Sequence, residues 1–270
     1  MFLEIASHVA VNGSFQAYEH RGEIAKAWGK FVYFIKHGKL SILVVGPGGV
    51  GKSTLSGFLA DPAQALDPAP YNESFHVERR DFSGNVVAEL LTTPGQQHYG
   101  SWDELFEKTK GNGNRFGIIH VVSYGYHSTM LGMRETREQN ETSQARILRY
   151  LGECRAKEIA VAQDLVKRLE RHGQPFWMMT LVTKQDLWWQ NRQNVERHYR
   201  EGEYAEAIRQ INNAHVAQDF RHEYFSMALH SQNFCDGAGT VMIETASGYD
   251  DVIKYRHHRK FLEILNGFIG

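Results

Sequence analysis

A nine-residue stretch rich in glycine constrains the fold of this chain more than any other feature. Residues 46–54 read GPGGVGKST, so four glycines precede a lysine and two hydroxyl side chains. An apolar run at 40–45 comes before this stretch, and a helix-like sequence follows from Thr54. Because glycine adopts conformations that other residues avoid, such a turn can direct its N–H groups at an anion at the start of a helix. The pattern therefore predicts a phosphate-binding loop between a strand and a helix.

The motif predicts a role for each part of the loop. Lys52 is expected to reach the β- and γ-phosphates of a nucleotide, and the Ser53 hydroxyl is expected to bind Mg²⁺. The backbone is expected to surround the phosphates. The residues predicted to contact the nucleotide in this loop are Gly46, Gly48, Gly49, Val50, Gly51, Lys52, Ser53 and Thr54.

Length and charge exclude several classes of protein. The chain has 270 residues and a formal net charge of −1, so it has no global positive field that would hold nucleic acid or an anionic membrane. Its two cysteines lack the spacing of a metal site, its first residues lack a signal-peptide pattern, and no apolar run reaches transmembrane length. We expect a cytoplasmic protein with no nucleic-acid partner and no integral membrane association.

Apolar runs alternate with amphipathic stretches along the chain. Besides 40–45, the pattern predicts strands at 117–122, 176–182 and 224–229, and helices at 143–171, 204–215 and 251–268. Strands at 74–82 and 86–92, joined by a turn at 83–85, form a predicted hairpin that puts one antiparallel strand at an edge. The expected fold class is α/β, with a mostly parallel sheet and helices on both of its faces.

A second motif follows the predicted strand 176–182. Thr183, Lys184 and Asp186 match the pattern [NT]-K-x-D. A carboxylate at Asp186 can accept hydrogen bonds from both N1–H and the 2-amino group of guanine. Adenine has neither donor, so it would leave the carboxylate unpaired at a cost of about 1–3 kcal/mol. Together with the stem of Lys184, which can pack along the base plane, the motif predicts guanine specificity. Trp188 and Trp189, just beyond, either form a partner surface or pack over this turn.

A third motif completes a family resemblance. Residues 92–96 read TTPGQ and end the predicted strand 86–92. In the order of its three motifs, over about residues 39–266, the chain resembles the Ras-like small GTPases of the TRAFAC class. The resemblance implies a Ras-like P-loop NTPase fold in three layers, with GTP or GDP and Mg²⁺ as ligands. The run 181–188, LVTKQDLW, fits a divergent prokaryotic member.

The resemblance also implies roles for individual residues. With Lys52, the catalytic candidates are Gly95, whose N–H would contact the γ-phosphate, and Gln96, which would orient the attacking water. Met227 and Ala228 match the position where the family contacts the base, although serine is usual where this chain has Met227.

The chain departs from the family at its metal ligands. An aspartate is usual where this chain has Thr92, and no threonine occurs between Leu55 and Leu91 to close on Mg²⁺. The candidate metal ligands are therefore Ser53, Thr92 and Asn72. These weaker contacts leave two functions open: a slow GTP-hydrolysing switch, or a nucleotide-binding interaction module with little hydrolysis. An ATPase or kinase would require the match at 183–186 to be accidental.

The chain exceeds a minimal family member in three places. Residues 1–38 form a predicted helical extension, in which 17–36 place apolar side chains at helical spacing. This helix either binds a membrane surface or partner, or packs on its own domain. The domain proper is predicted at 39–270, with insertions near 124–142 and 231–248. We expect such additions to contact a protein effector or activator, or a second copy in a homodimer.

Overall fold

The computed structural model describes the chain in segments that together contain one main sheet and its helices. The described residues are 40–60, 78–81, 89–92, 102–103, 106, 115–127, 143–173, 175–214, 220–235 and 239–269. The predicted N-terminal extension, the turn 83–85 and the segment 128–142 lie outside these residues.

Eight strands and six α-helices are seen in the described residues. The strands are β1 (Leu40–Val45), β2 (Glu78–Asp81), β3 (Glu89–Thr92), β4 (Arg115–Val122), β5 (Trp177–Val182), β6 (Arg221–Ser226), β7 (Phe234–Cys235) and β8 (Val241–Ile243). The helices are α1 (Lys52–Ala60), α2 (Ser143–His172), α3 (Gln185–Trp188), α4 (Arg192–Glu201), α5 (Glu203–Ala214) and α6 (Asp251–Ile269). A 3₁₀ turn, Trp189–Asn191, joins α3 to α4.

Six strands form one sheet in the order β2-β3-β1-β4-β5-β6. The edge strand β2 pairs antiparallel with β3, and the other neighbouring strands pair in parallel. The α/β fold with one antiparallel edge strand is therefore confirmed. Because the five parallel strands run the same way, their carboxyl ends meet at one edge of the sheet, which is where ligands bind in open α/β folds.

Helices cover both faces of the sheet, as the alternating pattern predicted. Alternate residues of β4 and β5, such as Ile118 and Met178, pack in a core with α2, α4 and α5 on one face. The intervening residues, such as Ile119 and Met179, pack in a second core with α1 and α6 on the other face. Each inner strand buries side chains on both faces, which explains why it reads as a continuous apolar run.

One predicted strand was misplaced, and one helix was not predicted. The last parallel strand was predicted at 224–229 but spans Arg221–Ser226, because this edge strand is polar and partly exposed while the apolar residues that drew the prediction lie beyond its end. Helix α4 was not predicted because its ten residues bury only Val195 and Tyr199, which leaves almost no apolar period to recognise.

Among the residues that the structure describes, no helix has the length and apolar character needed to cross a bilayer.

Candidate nucleotide-binding site

The glycine-rich loop connects β1 to α1 with the backbone conformations that only glycine adopts easily. Gly46, Gly49 and Gly51 have φ angles of +148°, +74° and +97°. A Cβ atom at Gly46 would collide with the carbonyl oxygen of Val121 on β4. Substitution at Gly46 would therefore push the loop away from the sheet. The glycines of the pattern are explained by the positive φ angles of the loop and by the close packing of Gly46 against β4.

Lys52 lies at the first position of α1 and is buried against its own loop. Its Nζ donates a hydrogen bond to the carbonyl oxygen of Pro47 at 2.7 Å. The ammonium group is thus held over the inside of the loop at the start of the helix, where the loop N–H groups and the helix dipole favour an anion. Ser53 and Thr54 follow it in the first turn and are partly exposed.

The side chain of Thr183 connects the motif at 183–186 to the glycine-rich loop, although the two lie far apart in the sequence. Its Oγ1 lies 2.7 Å from the carbonyl oxygen of Val50 in the loop and 3.0 Å from that of Val122 at the end of β4. The carbonyl oxygen of Thr183 accepts a hydrogen bond from Trp188 Nε1 at 2.9 Å. Trp188 is buried, so it packs beneath this turn instead of forming a partner surface.

Asp186 presents a buried carboxylate one turn further on. Its side chain is 1% exposed, and Oδ2 accepts a hydrogen bond from the backbone N–H of Gln232 at 3.0 Å. Oδ1 is buried and has no hydrogen-bond partner among the residues that the structure describes. Burial raises the pKa of this carboxyl from 3.8 to about 6. An orphaned acceptor of this kind fits a donor on a ligand, as the guanine prediction requires.

Lys184 adopts a left-handed conformation, with φ of 56° and ψ of 37°. Desolvation lowers the pKa of its ammonium group to about 8. This backbone turn directs the chain from β5 into α3 and sets Lys184 and Asp186 side by side at the carboxyl edge of the sheet.

Met227 and Ala228 directly follow β6 and are both fully buried. The N–H of Ala228 donates to the hydroxyl of Tyr249 at 3.1 Å, and its carbonyl oxygen lies 2.8 Å from Nε2 of His258 on α6. The two residues therefore lie at the same sheet edge as the other base-side candidates.

Of the remaining candidate residues, Thr92 lies within the described part of the chain. Gly95, Gln96 and Asn72 lie outside the described residues. Thr92 ends β3 and pairs with Val44, two residues before Gly46. This register puts its backbone next to the loop. Within the part of the chain that is described, no group of three or more His, Cys, Asp or Glu side chains could hold a metal ion.

Sequence reasoning missed a buried polar cluster beside the site. Glu158 on α2 is 0% exposed, and its Oε1 accepts hydrogen bonds from Ser123 N, Gly125 N and His127 Nε2 at 2.9, 3.1 and 3.0 Å. Its Oε2 accepts from the hydroxyl of Tyr199 at 2.6 Å. Burial by itself would raise the pKa of Glu158, but the hydrogen bonds from His127 and its other donors hold it below the usual value.

This cluster holds the loop 123–127 in place. The loop begins directly after β4, and the end of β4 lies next to the glycine-rich loop. Tyr124 and Gly125 have positive φ angles of 54° and 84°, and the carboxylate of Glu158 holds this turn by two backbone N–H groups. No motif marks Glu158, since a glutamate in a helix is usually exposed.

Replacing Asp186 by asparagine should stabilise the nucleotide-free protein. The pKa of the carboxyl is higher in the folded state, at about 6, than its ordinary value of 3.8, so the folded state loses stability as pH rises between these values. Above about pH 6 this loss is complete, and asparagine, which never ionises, should recover about 1–3 kcal/mol at pH 7. Urea unfolding at pH 7 and pH 3.5 measures the effect, which should shrink at the lower pH.

The matched control for this change is Glu201→Gln, which also replaces a carboxylate by an amide and lies at an exposed position at the end of α4. It should alter the free energy of unfolding by less than about 0.5 kcal/mol at either pH. Equal stability of Asp186→Asn and the unmodified protein at pH 7 would contradict the prediction.

Comparison with known proteins gives structural neighbours of low sequence identity. No protein-family model and no curated protein matches the chain. The small COPII coat GTPase SAR1 from Encephalitozoon cuniculi, solved with GDP, aligns with a TM-score of 0.45 at 11% identity, over 96% of this chain and 95% of that chain. Toc33 from Arabidopsis thaliana, solved with Mg²⁺ and GMPPNP, gives 0.45 at 12% identity, over 93% and 92%.

The mammalian SRP receptor is a third neighbour, with a TM-score of 0.35 at 14% identity, over 70% of this chain and 91% of that chain. By its sheet order and its strand–loop–helix unit, the chain has an α/β fold of the P-loop type.

Proposed function

We propose that this protein binds GTP and GDP and hydrolyses GTP slowly, acting as a molecular switch. The observation that carries the proposal is the contact between the two motifs, in which the Thr183 hydroxyl lies 2.7 Å from the carbonyl oxygen of Val50. A loop suited to phosphates and a turn suited to guanine thus lie side by side at the edge of the sheet where such folds bind ligands.

The phosphate end of the site is assigned to residues 46–54. The N–H groups of the loop and the start of α1 would bind the phosphates, and the ammonium group of Lys52 would neutralise their charge. Gly95 would sense the γ-phosphate and Gln96 would place the attacking water. Binding and loss of the γ-phosphate would change the order of the segments that contain these residues, which is how such switches signal.

The base end is assigned to Lys184, Asp186, Met227 and Ala228. Asp186 supports guanine over adenine because its buried Oδ1 needs a donor, and guanine provides N1–H and the 2-amino group. The N–H of Ala228 suits the O6 acceptor on the same edge of the base.

Magnesium would be held by few groups of this chain. The Ser53 hydroxyl fits the role of a ligand, and Thr92 and Asn72 could add neutral oxygens. Because these donors carry no charge, we expect Mg²⁺ to bind together with the nucleotide, whose phosphates supply negative oxygens and complete the shell with water.

A second function is favoured by Thr92. At the end of β3, beside Val44, this chain has a neutral hydroxyl where the family it resembles has a carboxylate. A protein with this substitution could bind guanine nucleotide as an interaction module and turn it over slowly or not at all. Where turnover is slow, we propose that a protein partner supplies an arginine that stabilises the charge on the transferring phosphate, which raises the rate of such reactions by about 10³–10⁵.

Phosphate release from GTP and ATP over a Mg²⁺ titration tests the proposal. We expect release from GTP alone, at on the order of 10⁻⁴–10⁻² per second, and a loss of guanine preference in Asp186→Asn. Binding of GTP without release would favour the interaction module. Equal binding of GTP and ATP would contradict the assignment of Asp186 to the base.

A further inference from the structure

A base-side segment, defined as residues 231–235 and 239–249, folds back over the turn that contains Lys184 and Asp186. Its strands β7 and β8 pair antiparallel, with Phe234 opposite Ile243. The Oδ1 atom of Asn233 accepts hydrogen bonds from Thr245 N at 2.8 Å and Thr245 Oγ1 at 3.2 Å. The two halves of the segment are therefore tied to each other.

The same segment hydrogen bonds two of the four residues that are assigned to the base, Asp186 and Ala228. The N–H of Gln232 donates to Asp186 Oδ2 at 3.0 Å, and the hydroxyl of Tyr249 accepts from the N–H of Ala228 at 3.1 Å. A third bond, from Ala246 N to the carbonyl oxygen of Asp186 at 2.7 Å, holds the segment to the turn.

These bonds have the polarity that guanine itself would provide. The edge of guanine donates through N1–H and the 2-amino group and accepts through O6. The segment donates to Asp186 through Gln232 and accepts from Ala228 through Tyr249. We propose that the base-side segment occupies the base site as an internal substitute for guanine, so that guanine nucleotide must displace it to bind fully. This inference rests on the proposed function.

Burial of the site agrees with an occupied state. Asp186 and Ala228, the two residues that the segment hydrogen bonds, are at most 1% exposed, so a base must displace the segment to take over these bonds. Tyr249 is held between Ala228 and the ring of Trp189, whose centroid lies 5.4 Å from its own. The buried Oδ1 of Asp186 has no hydrogen-bond partner among the described residues, since the segment supplies one donor where guanine supplies two.

The proposal has a direct consequence for affinity. In the unmodified protein, guanine replaces existing hydrogen bonds instead of filling empty positions, so part of its binding energy is spent on displacing the segment. Loosening the segment should therefore tighten guanine binding, which is the reverse of what removal of an ordinary binding residue does.

Tyr249→Phe tests this consequence, with Tyr255→Phe as its matched control. The first change removes the acceptor from Ala228 N–H and should tighten GDP binding by about threefold to tenfold. Tyr255 lies on α6 and bonds neither Asp186 nor Ala228 in the described part of the chain, so its change should leave the affinity as it was. Asn233→Ala is a second variant that releases Thr245 without touching a base-contacting residue, and it should also tighten binding.

Hydrogen exchange with and without GDP supplies an independent readout on the full chain. Saturating GDP should increase deuterium uptake in peptides from 231–249, because Gln232 N–H and Ala246 N–H lose their acceptors, while peptides from β5 stay protected. Protection of 231–249 by GDP, or equal GDP affinity in all three variants and the unmodified protein, would overturn the inference and leave the proposed function standing. Absence of guanine-nucleotide binding in every form would overturn both.

Discussion

Replacing Glu158 by alanine should lower the free energy of unfolding by about 3–5 kcal/mol. The carboxylate is fully buried and accepts hydrogen bonds from two backbone N–H groups of the loop 123–127, from His127 and from Tyr199. Its removal leaves four donors without an acceptor in the protein interior, and each buried donor that stays unsatisfied costs about 1–3 kcal/mol before the structure relaxes. Urea unfolding at pH 7 measures the loss.

Two variants sharpen this expectation. Glu158→Gln keeps the shape and one acceptor but removes the charge, so its loss should be smaller than that of Glu158→Ala. Glu153→Ala removes an exposed carboxylate from the same helix, where Arg149 is its surface partner, and should change stability by less than about 0.5 kcal/mol. A loss below about 1 kcal/mol in Glu158→Ala would show that the loop 123–127 does not depend on this carboxylate.

The stability that Glu158 provides should also depend on pH. Its pKa is held below the ordinary value of 4.5 in the folded state, so the contribution is present above that value and is lost as pH falls through the folded pKa. Asp186, whose pKa is raised, acts in the opposite direction over the range from 3.8 to about 6. Acid unfolding of Glu158→Gln and Asp186→Asn separates the two contributions.

Replacing Lys52 by alanine should weaken GTP and GDP binding by about 100-fold or more and abolish phosphate release. Hydrogen bonds between a cationic donor and a phosphate contribute about 1.5–3 kcal/mol each, and Lys52 is expected to serve two phosphate groups. In the structure its Nζ donates to the carbonyl oxygen of Pro47 in the same loop. Equilibrium titration with a fluorescent guanine nucleotide measures the affinity.

Lys260→Ala is the control for a general effect of charge, since Lys260 is exposed on α6. It should bind nucleotide with unchanged affinity. If Lys52→Ala binds nucleotide with an affinity within about fivefold of that of the unmodified protein, Lys52 does not bind the phosphates. The main support for a P-loop site would then be lost.

The local motifs were predictable because their chemistry is local. Gly46, Gly49 and Gly51 have the conformations that the pattern GPGGVGKST requires, and β1 and α1 flank them as predicted. Thr183 and Asp186 follow a strand whose apolar run is recognisable because both of its faces are buried. Strand β6 was misplaced and helix α4 was missed because both are polar and bury few side chains, so neither has a recognisable apolar pattern.

Contacts between distant residues were decided by the tertiary structure alone. The sequence by itself determined a glycine-rich loop between a strand and a helix and an α/β sheet, and it predicted a guanine-type turn after β5, because each of these depends on neighbouring residues. Only the fold brings Thr183 to Val50 across 133 positions and buries Glu158 beneath the loop 123–127. Only the fold also sets Gln232 and Tyr249 on the groups that would read the base, because hydrogen-bond partners far apart in sequence leave no periodic signal.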